Sequence, residues 1–197
     1  MPFPARQIAP GITYVRRFVA EPDAALVEIE EQVSFKQSRT RMFGREHLVP
    51  RREAWFGPRP YTFSGRTFAA TPMPPVVDAL AMRCEAQVGH AISFPSCLLN
   101  RYRDGQDHVS WHSDDEPDLG TDPLICSVSL GAARDFLLRR KNRTPRMASA
   151  VLPNRLKITL EHGSLLVMDR GVQADWEHCL PKRANCRRPR VNLTFRA

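Results

Sequence analysis

Residues 188–197 read RPRVNLTFRA, and within them polar and apolar side chains alternate without a break. Successive side chains of a β-strand point to opposite faces. Arg190, Asn192, Thr194 and Arg196 therefore share one face, and Val191, Leu193 and Phe195 share the other. The apolar face needs a core. The polar face has two readings: it meets water, as in many antiparallel strands, or it turns into the interior of a barrel. In the second case two guanidiniums need anionic partners, because unpaired buried charge is costly. A dicarboxylate ligand would meet that need.

Seven more short β-type runs precede this strand, at 97–103, 107–113, 125–131, 134–140, 156–160, 164–169 and 175–180. Turn signals separate them, which suggests a jelly roll or another two-sheet β fold. Upstream, PPVVDALAMRCEAQVG puts Val77, Leu80, Ala81, Cys84 and Val88 on one helical face, with Gly89 as a stop. A second helix is expected over 22–33, opening on Pro22 and burying Leu26, Ile29 and Val33. The 36–68 region, with Gly44, Gly57, Pro58, Pro60 and Gly65, reads as hairpins that touch the substrate. The expected class is α+β, mainly β: one domain over 1–197, with helices and recognition hairpins in 1–91 and a jelly-roll catalytic core in 92–197.

The 197 residues carry 29 Lys and Arg against 21 Asp and Glu, a net charge of +8. A basic surface attracts polyanions and releases their counterions, so nucleic acid is the leading partner; a genome rich in Arg codons is the competing explanation. Five cysteines, an odd number with no C-x-x-C pair, argue against a disulfide framework and a structural zinc knot. A reducing compartment follows. MPFPARQIAP lacks the apolar run of a signal peptide, and no stretch approaches a membrane span. The expectation is a monomer in the cytoplasm, with no membrane association.

SWHSDDEP, residues 110–117, crowds three carboxylates beside a histidine. Two residues apart on a strand, His112 and Asp114 can offer imidazole and carboxylate to one ion. His178, in QADWEHCLPK, is a candidate for the second histidine. Two histidines and a carboxylate leave open positions on a metal, the arrangement of non-haem Fe(II) oxygenases. An H-x-D match alone is also what a solvated surface strand gives. His162, beside Gly163, reads as a turn residue, and His108 as solvent-facing or supporting. In LLNRYR, Asn100 and Tyr102 share a face and can donate to carboxylate oxygens. A metal triad, interior arginines and a β-rich C-terminal half describe an iron enzyme with an acidic co-substrate.

NRYRDG, HSDDEP, SVSLGAARDF, MDRGVQADWEHCLPK and PRVNLTFR, in that order, resemble the AlkB family of iron and 2-oxoglutarate dependent nucleic-acid dealkylases. The resemblance implies a double-stranded β-helix (jelly-roll) core, Fe(II) and 2-oxoglutarate as cofactors, and oxidative demethylation of 1-methyladenine and 3-methylcytosine in DNA with release of formaldehyde, succinate and CO2. It implies that His112, Asp114 and His178 bind iron and that Asn100, Tyr102, Arg190, Asn192, Thr194 and Arg196 hold 2-oxoglutarate. Arg190 would take the distal carboxylate, and Arg196 with Asn100 would lie near the chelating one. Gln173 and Trp176 would support the metal or pack its walls.

A base within a duplex cannot reach such a centre without extrusion. Tyr61 and Phe63 would stack on the flipped base, with His112 over its other side. Asp115, the proposed catalytic discriminator, would prefer the cationic methylated bases by charge, with Glu116 as a helper. In RMFGRE, Phe43 would wedge the stack. Arg41, Arg45, Arg51 and Arg52 could meet phosphates, as could the stretch Arg134, Arg139, Arg140, Lys141 and Arg143, with Arg134 close to the base edge. The partner is then alkylated DNA, single- or double-stranded, or RNA, in a nucleoid or a nucleus. The alternatives are a 2-oxoglutarate oxygenase acting on RNA, protein or lipid, and a non-catalytic damage binder.

Overall fold

The computed structural model describes residues 3–42, 44–63, 66–89, 91–114, 122–141 and 153–197, with backbone alone at 41, 42, 63 and 66. In chain order the elements are β1 (Arg6–Ala9), β2 (Ile12–Val15), α1 (Pro22–Gln32), β3 (Arg39–Met42), β4 (Arg45–Leu48), β5 (Arg52–Phe56), β6 (Tyr61–Phe63), β7 (Arg66–Phe68) and α2 (Pro75–Val88). There follow β8 (Ser96–Tyr102), β9 (Val109–His112), β10 (Ile125–Gly131), β11 (Arg134–Arg140), β12 (Arg155–Leu160), β13 (Ser164–Met168), α3 (Val172–Asp175), β14 (Trp176–Leu180) and β15 (Arg190–Arg196).

From β8 onward the chain shuttles between two antiparallel sheets. One has the order β1-β2-β13-β10-β15-β8-β5 and the other β12-β11-β14-β9. The last eight strands thus contribute four to each sheet, which is the double-stranded β-helix, and they fall on the eight runs expected from the sequence. Central in the larger sheet, β15 pairs with β10 (Asn192 opposite Ser129) and β8 (Asn192 opposite Asn100).

The alternation of β15 is used on both faces. Val191, Leu193 and Phe195 are fully buried in the core that α1 and α2 share with the larger sheet. Burial of each such side chain contributes about 1.5–3 kcal/mol. Arg190, Asn192, Thr194 and Arg196 are also buried, but between the sheets. The interior reading of the polar face is the one the fold adopts. β10 does the same with Cys126, Val128 and Leu130 toward the helices and Ser127 and Ser129 toward the interior.

α2 starts on a proline, which donates no hydrogen bond, and stops at Gly89, whose N–H reaches the Glu85 carbonyl at 2.8 Å. Val77, Leu80, Ala81 and Cys84 are buried and Val88 is partly so. α1 buries Ile29, with Val33 just beyond it and Leu26 half-covered.

The two expected parts, 1–91 and 92–197, share the larger sheet. β1, β2 and β5 extend the larger sheet at its two edges, so residues before 91 are part of the core sheet as well as of the hairpins β3–β4 and β6–β7. These strands are four or five residues long, too short for a period-2 pattern to stand out. The β1–β2 turn uses Gly11 at φ 72°, where a Cβ would lie 2.9 Å from Val172 Cγ2. All five cysteines are free. Among the described residues no helix is long and apolar enough to cross a membrane.

Candidate metal and anion site

β9 and β14 are hydrogen-bonded neighbours, and their register sets His112 opposite His178 with ring centroids 4.3 Å apart. Asp114 lies two residues beyond the end of β9, not within a strand as expected. Side chains continue the alternation where the ladder stops. Gln173 Oε1 accepts from the Asp114 N–H at 3.0 Å, and Ser113 Oγ donates to the Trp176 carbonyl at 2.9 Å. Gln173 therefore steadies the backbone at Asp114, and Trp176 packs in the interior core.

The imidazole Nε2 atoms of His112 and His178 stand 3.5 and 3.8 Å from Asp114 Oδ1. Among the described residues these three are the group whose ligand atoms converge, all within 4.8 Å. His112 Nδ1 contacts the Ser110 carbonyl at 2.9 Å, which favours a proton there and leaves Nε2 free as a ligand. Arg196 Nη2 donates to Asp114 Oδ2 at 3.0 Å, so it holds the carboxylate by the oxygen turned away from the histidines.

Burial pushes the His178 pKa down to about 3, and His112 adds to the effect; at neutral pH its lone pair is free. Burial would raise Asp114, but Arg196 and the two histidines hold it well below the usual carboxylate range. Burial also opposes charge on His112, yet the bond and charge of Asp114 prevail and raise it. Two imidazoles and one carboxylate, with no thiolate, suit a first-row ion such as Fe(II).

Beyond the triad the cavity is lined by Arg51, Asn100, Tyr102, Ser127, Phe136, Met168, Arg190, Asn192 and Thr194. Arg190, 1% exposed, donates to Ser129 Oγ at 2.9 Å and Asn192 Oδ1 at 2.7 Å. Its Nε has no partner among the described residues, and burial lowers its pKa to about 10. A buried guanidinium bonded, among the described residues, only to neutral oxygens is suited to meet an anion. Asn192 also accepts from Ser127 and donates to Thr194, so the polar face of β15 is an ordered ladder.

Three expectations are corrected. Arg134 does not reach a base edge: it is 1% exposed and donates to the carbonyls of Asp104, Asp107 and Pro181, since its strand position points it between the sheets. Arg51 is not a phosphate contact but a buried residue whose Nε donates to Asn100 Oδ1 at 2.7 Å and whose charge meets Glu53 at 2.8 Å. Tyr61 offers no open stacking face. Its ring is 1% exposed, stacked on Trp55 at 4.3 Å, with the Arg196 guanidinium 5.8 Å from its centroid.

Of the other cations, Arg45 and Arg52 are exposed. Arg139 is held by Glu177 and lies over Trp111, and Arg140 lies over Trp176. His108 and His162 stand outside the cavity, as expected. Phe43, Asp115, Glu116 and Arg143 lie outside the described residues, as does the side chain of Phe63.

Sequence reasoning passed over Ser127, Ser129 and Phe136, which stacks on His178 at 5.0 Å. The serines had a signal, two small polar residues at i and i+2 inside an apolar run.

A jelly roll with an interior His-Asp-His cluster and a buried arginine beyond it defines the class of non-haem iron oxygenases that take an acidic co-substrate. Residues 11–196 match the 2OG-Fe(II) oxygenase superfamily, and the chain belongs to it, within the AlkB group. It is 43% identical over 179 residues to the alpha-ketoglutarate-dependent dioxygenase alkB homolog 3 of Homo sapiens, covering 90% of this chain and 62% of that protein. Against the human DNA oxidative demethylase ALKBH2 it is 40% identical over 185 residues, covering 90% and 69%. The solved structure of OsALKBH1 has the same fold, with a TM-score of 0.63, 18% identity, and coverage of 98% of this chain and 99% of that one. The chain spans about three fifths of the length of the alkB homolog 3 proteins it matches.

Proposed function

We propose that this protein demethylates N-alkylated bases, 1-methyladenine and 3-methylcytosine, in nucleic acid, with Fe(II) and 2-oxoglutarate as its cofactors and dioxygen as oxidant. The observation that carries the reading is the pairing of the His112–Asp114–His178 cluster with an unneutralised Arg190 in one cavity. The name of the relative, the DNA oxidative demethylase ALKBH2, supports the choice of substrate.

In this reading His112, Asp114 and His178 hold the iron, whose bound chemistry is the oxidative decarboxylation of the co-substrate. Arg190 takes the distal carboxylate in a charge-assisted bond. Asn100, whose carbonyl is engaged by Arg51, offers its NH2 to the nearer carboxylate, while Arg196 fixes Asp114. Tyr102, Asn192 and Thr194 complete the wall. Asp115 selects cationic methylated bases over neutral ones, with Glu116 beside it. Phe63 stacks on the base, and Phe43 wedges duplexes. DNA is the expected substrate and RNA the runner-up.

The test measures succinate and formaldehyde from purified protein supplied with Fe(II), 2-oxoglutarate and oxygen, with and without a 1-methyladenine oligonucleotide. Formaldehyde in proportion to repaired base, absent in Asp114→Ala, is the expected result. Succinate without dependence on any methylated oligonucleotide would turn the reading toward a protein substrate.

A further inference from the structure

Arg134 is among the largest fully buried side chains, yet among the described residues it donates a hydrogen bond to no carboxylate. Nη1 donates to the Asp104 carbonyl at 3.0 Å, and Nη2 donates to those of Asp107 at 2.9 Å and Pro181 at 2.6 Å. The nearby Asp107 carboxylate is occupied by Arg103. A buried cation satisfied only by backbone is costly, and a lysine could not span three carbonyls as the planar fork does.

Those carbonyls belong to two connections. Residues 103–108 join β8, which ends in Tyr102, to β9, which carries His112; residues 181–189 join β14, which carries His178, to β15, which begins with Arg190. A second clasp sits alongside. Gly105 N–H donates to the Cys186 carbonyl at 2.7 Å, and Arg183 N–H to the Gly105 carbonyl at 2.8 Å. A Cβ on Gly105 would fall 1.7 Å from the Arg183 carbonyl oxygen, so only glycine lets the two connections meet. The guanidinium carbons of Arg190 and Arg134 lie 5.4 and 5.9 Å from the centroid of the Tyr102 ring. Tyr102 and Arg190 line the cavity; Arg134 does not. It stands behind the wall.

We propose that Arg134 is a positioning residue that sets the depth of the co-substrate pocket. By bolting the 103–108 and 181–189 connections together behind Tyr102 and Arg190, it fixes the span from the metal triad to the distal guanidinium at the length of a five-carbon oxo-diacid. The inference rests on the reading that 2-oxoglutarate lies with its distal carboxylate on Arg190.

Calorimetric titration of the Mn(II)-loaded protein with 2-oxoglutarate and with 2-oxoadipate, one methylene longer, tests it without turnover. In Arg134→Gln the preference for 2-oxoglutarate over 2-oxoadipate should fall about tenfold, the size of one misplaced charged hydrogen bond. The Mn(II) affinity should stay within about twofold of the parent, since the ligands are untouched. Arg134→Lys should fall between the two. Gly105→Ala, which pries the connections apart and leaves the Arg134 side chain itself unaltered, should lower the preference in the same direction. A folded Arg134→Gln protein with the parent preference overturns the proposal, and so do variants that fail only because they do not fold. Arg190→Met separates the levels: if it binds 2-oxoglutarate as the parent does, the reading of the pocket is wrong. If it loses binding while the Arg134 and Gly105 variants still discriminate, only the depth proposal is.

Discussion

The Asp114 carboxylate faces two ways, one oxygen toward the histidine nitrogens and the other on Arg196. Removing it should abolish tight divalent binding. Removing only its support, in Arg196→Met, should weaken Co(II) affinity by roughly 10- to 100-fold, the usual effect of losing a partner that orients a ligand; unchanged affinity by equilibrium dialysis would show that Asp114 needs no brace. His178 gives a pH signature in the metal-free protein. Its folded pKa of about 3 is below the ordinary value of 6.5, so the unfolded chain binds more protons between these limits. Stability against urea should be full above pH 6.5 and fall as pH drops toward about 3, and His178→Gln should flatten that slope. At this scale the sequence was informative where a residue type is demanding: paired histidines, an acid, and arginines on a strand's polar face. It misled for Arg134 and Arg51, because an arginine's destination depends on whether its strand position turns inward, and short motifs do not say which.

Strand β15 shows what one element can hold apart. Its apolar face fastens the sheet to the helices while its polar face forms a ladder of hydrogen-bonded polar side chains.

 Phe195→Ala should cost about 3–5 kcal/mol of stability, as truncation of a fully buried aromatic does. The folded fraction should keep its 2-oxoglutarate affinity, because Phe195 points away from the cavity; a matching loss of affinity would mean that the two faces are coupled through the backbone. Strict alternation made β15 readable, and turn residues at regular spacing made the other seven core strands readable. β1, β2 and β5 were not: each has four or five residues, and β5 is buried on both faces at Ala54, Trp55 and Phe56, so no polar face marks its period. The spacing of His112 and Asp114 fits a strand. The backbone ladder ends earlier, and Gln173 supplies the missing bond from a segment that no local pattern connects to it.

For the molecule as a whole, the +8 charge is unevenly distributed: α1 carries four carboxylates and no cation, so the excess of arginine belongs to the rest of the chain. Strands β1, β2 and β5, from before residue 91, join the larger sheet, since sheet membership is decided by pairing between distant segments and not by local composition. Charge, by contrast, is additive and was legible from the start. If that excess meets a phosphate backbone, binding must release counterions, and the logarithm of the affinity should fall linearly with the logarithm of salt concentration. The slope is roughly −0.7 per phosphate neutralised on a single strand and −0.9 on duplex. Contact with three to five phosphates therefore predicts slopes of about −2 to −4.5 for a methylated oligonucleotide, read by fluorescence anisotropy with Mn(II) and 2-oxoglutarate present. A slope near zero would mean that the arginines are solvated charges and that nucleic acid is not the substrate. A steep slope that is equal for methylated and unmethylated strands would locate the charge effect in backbone binding, leaving selection of the lesion to the cavity.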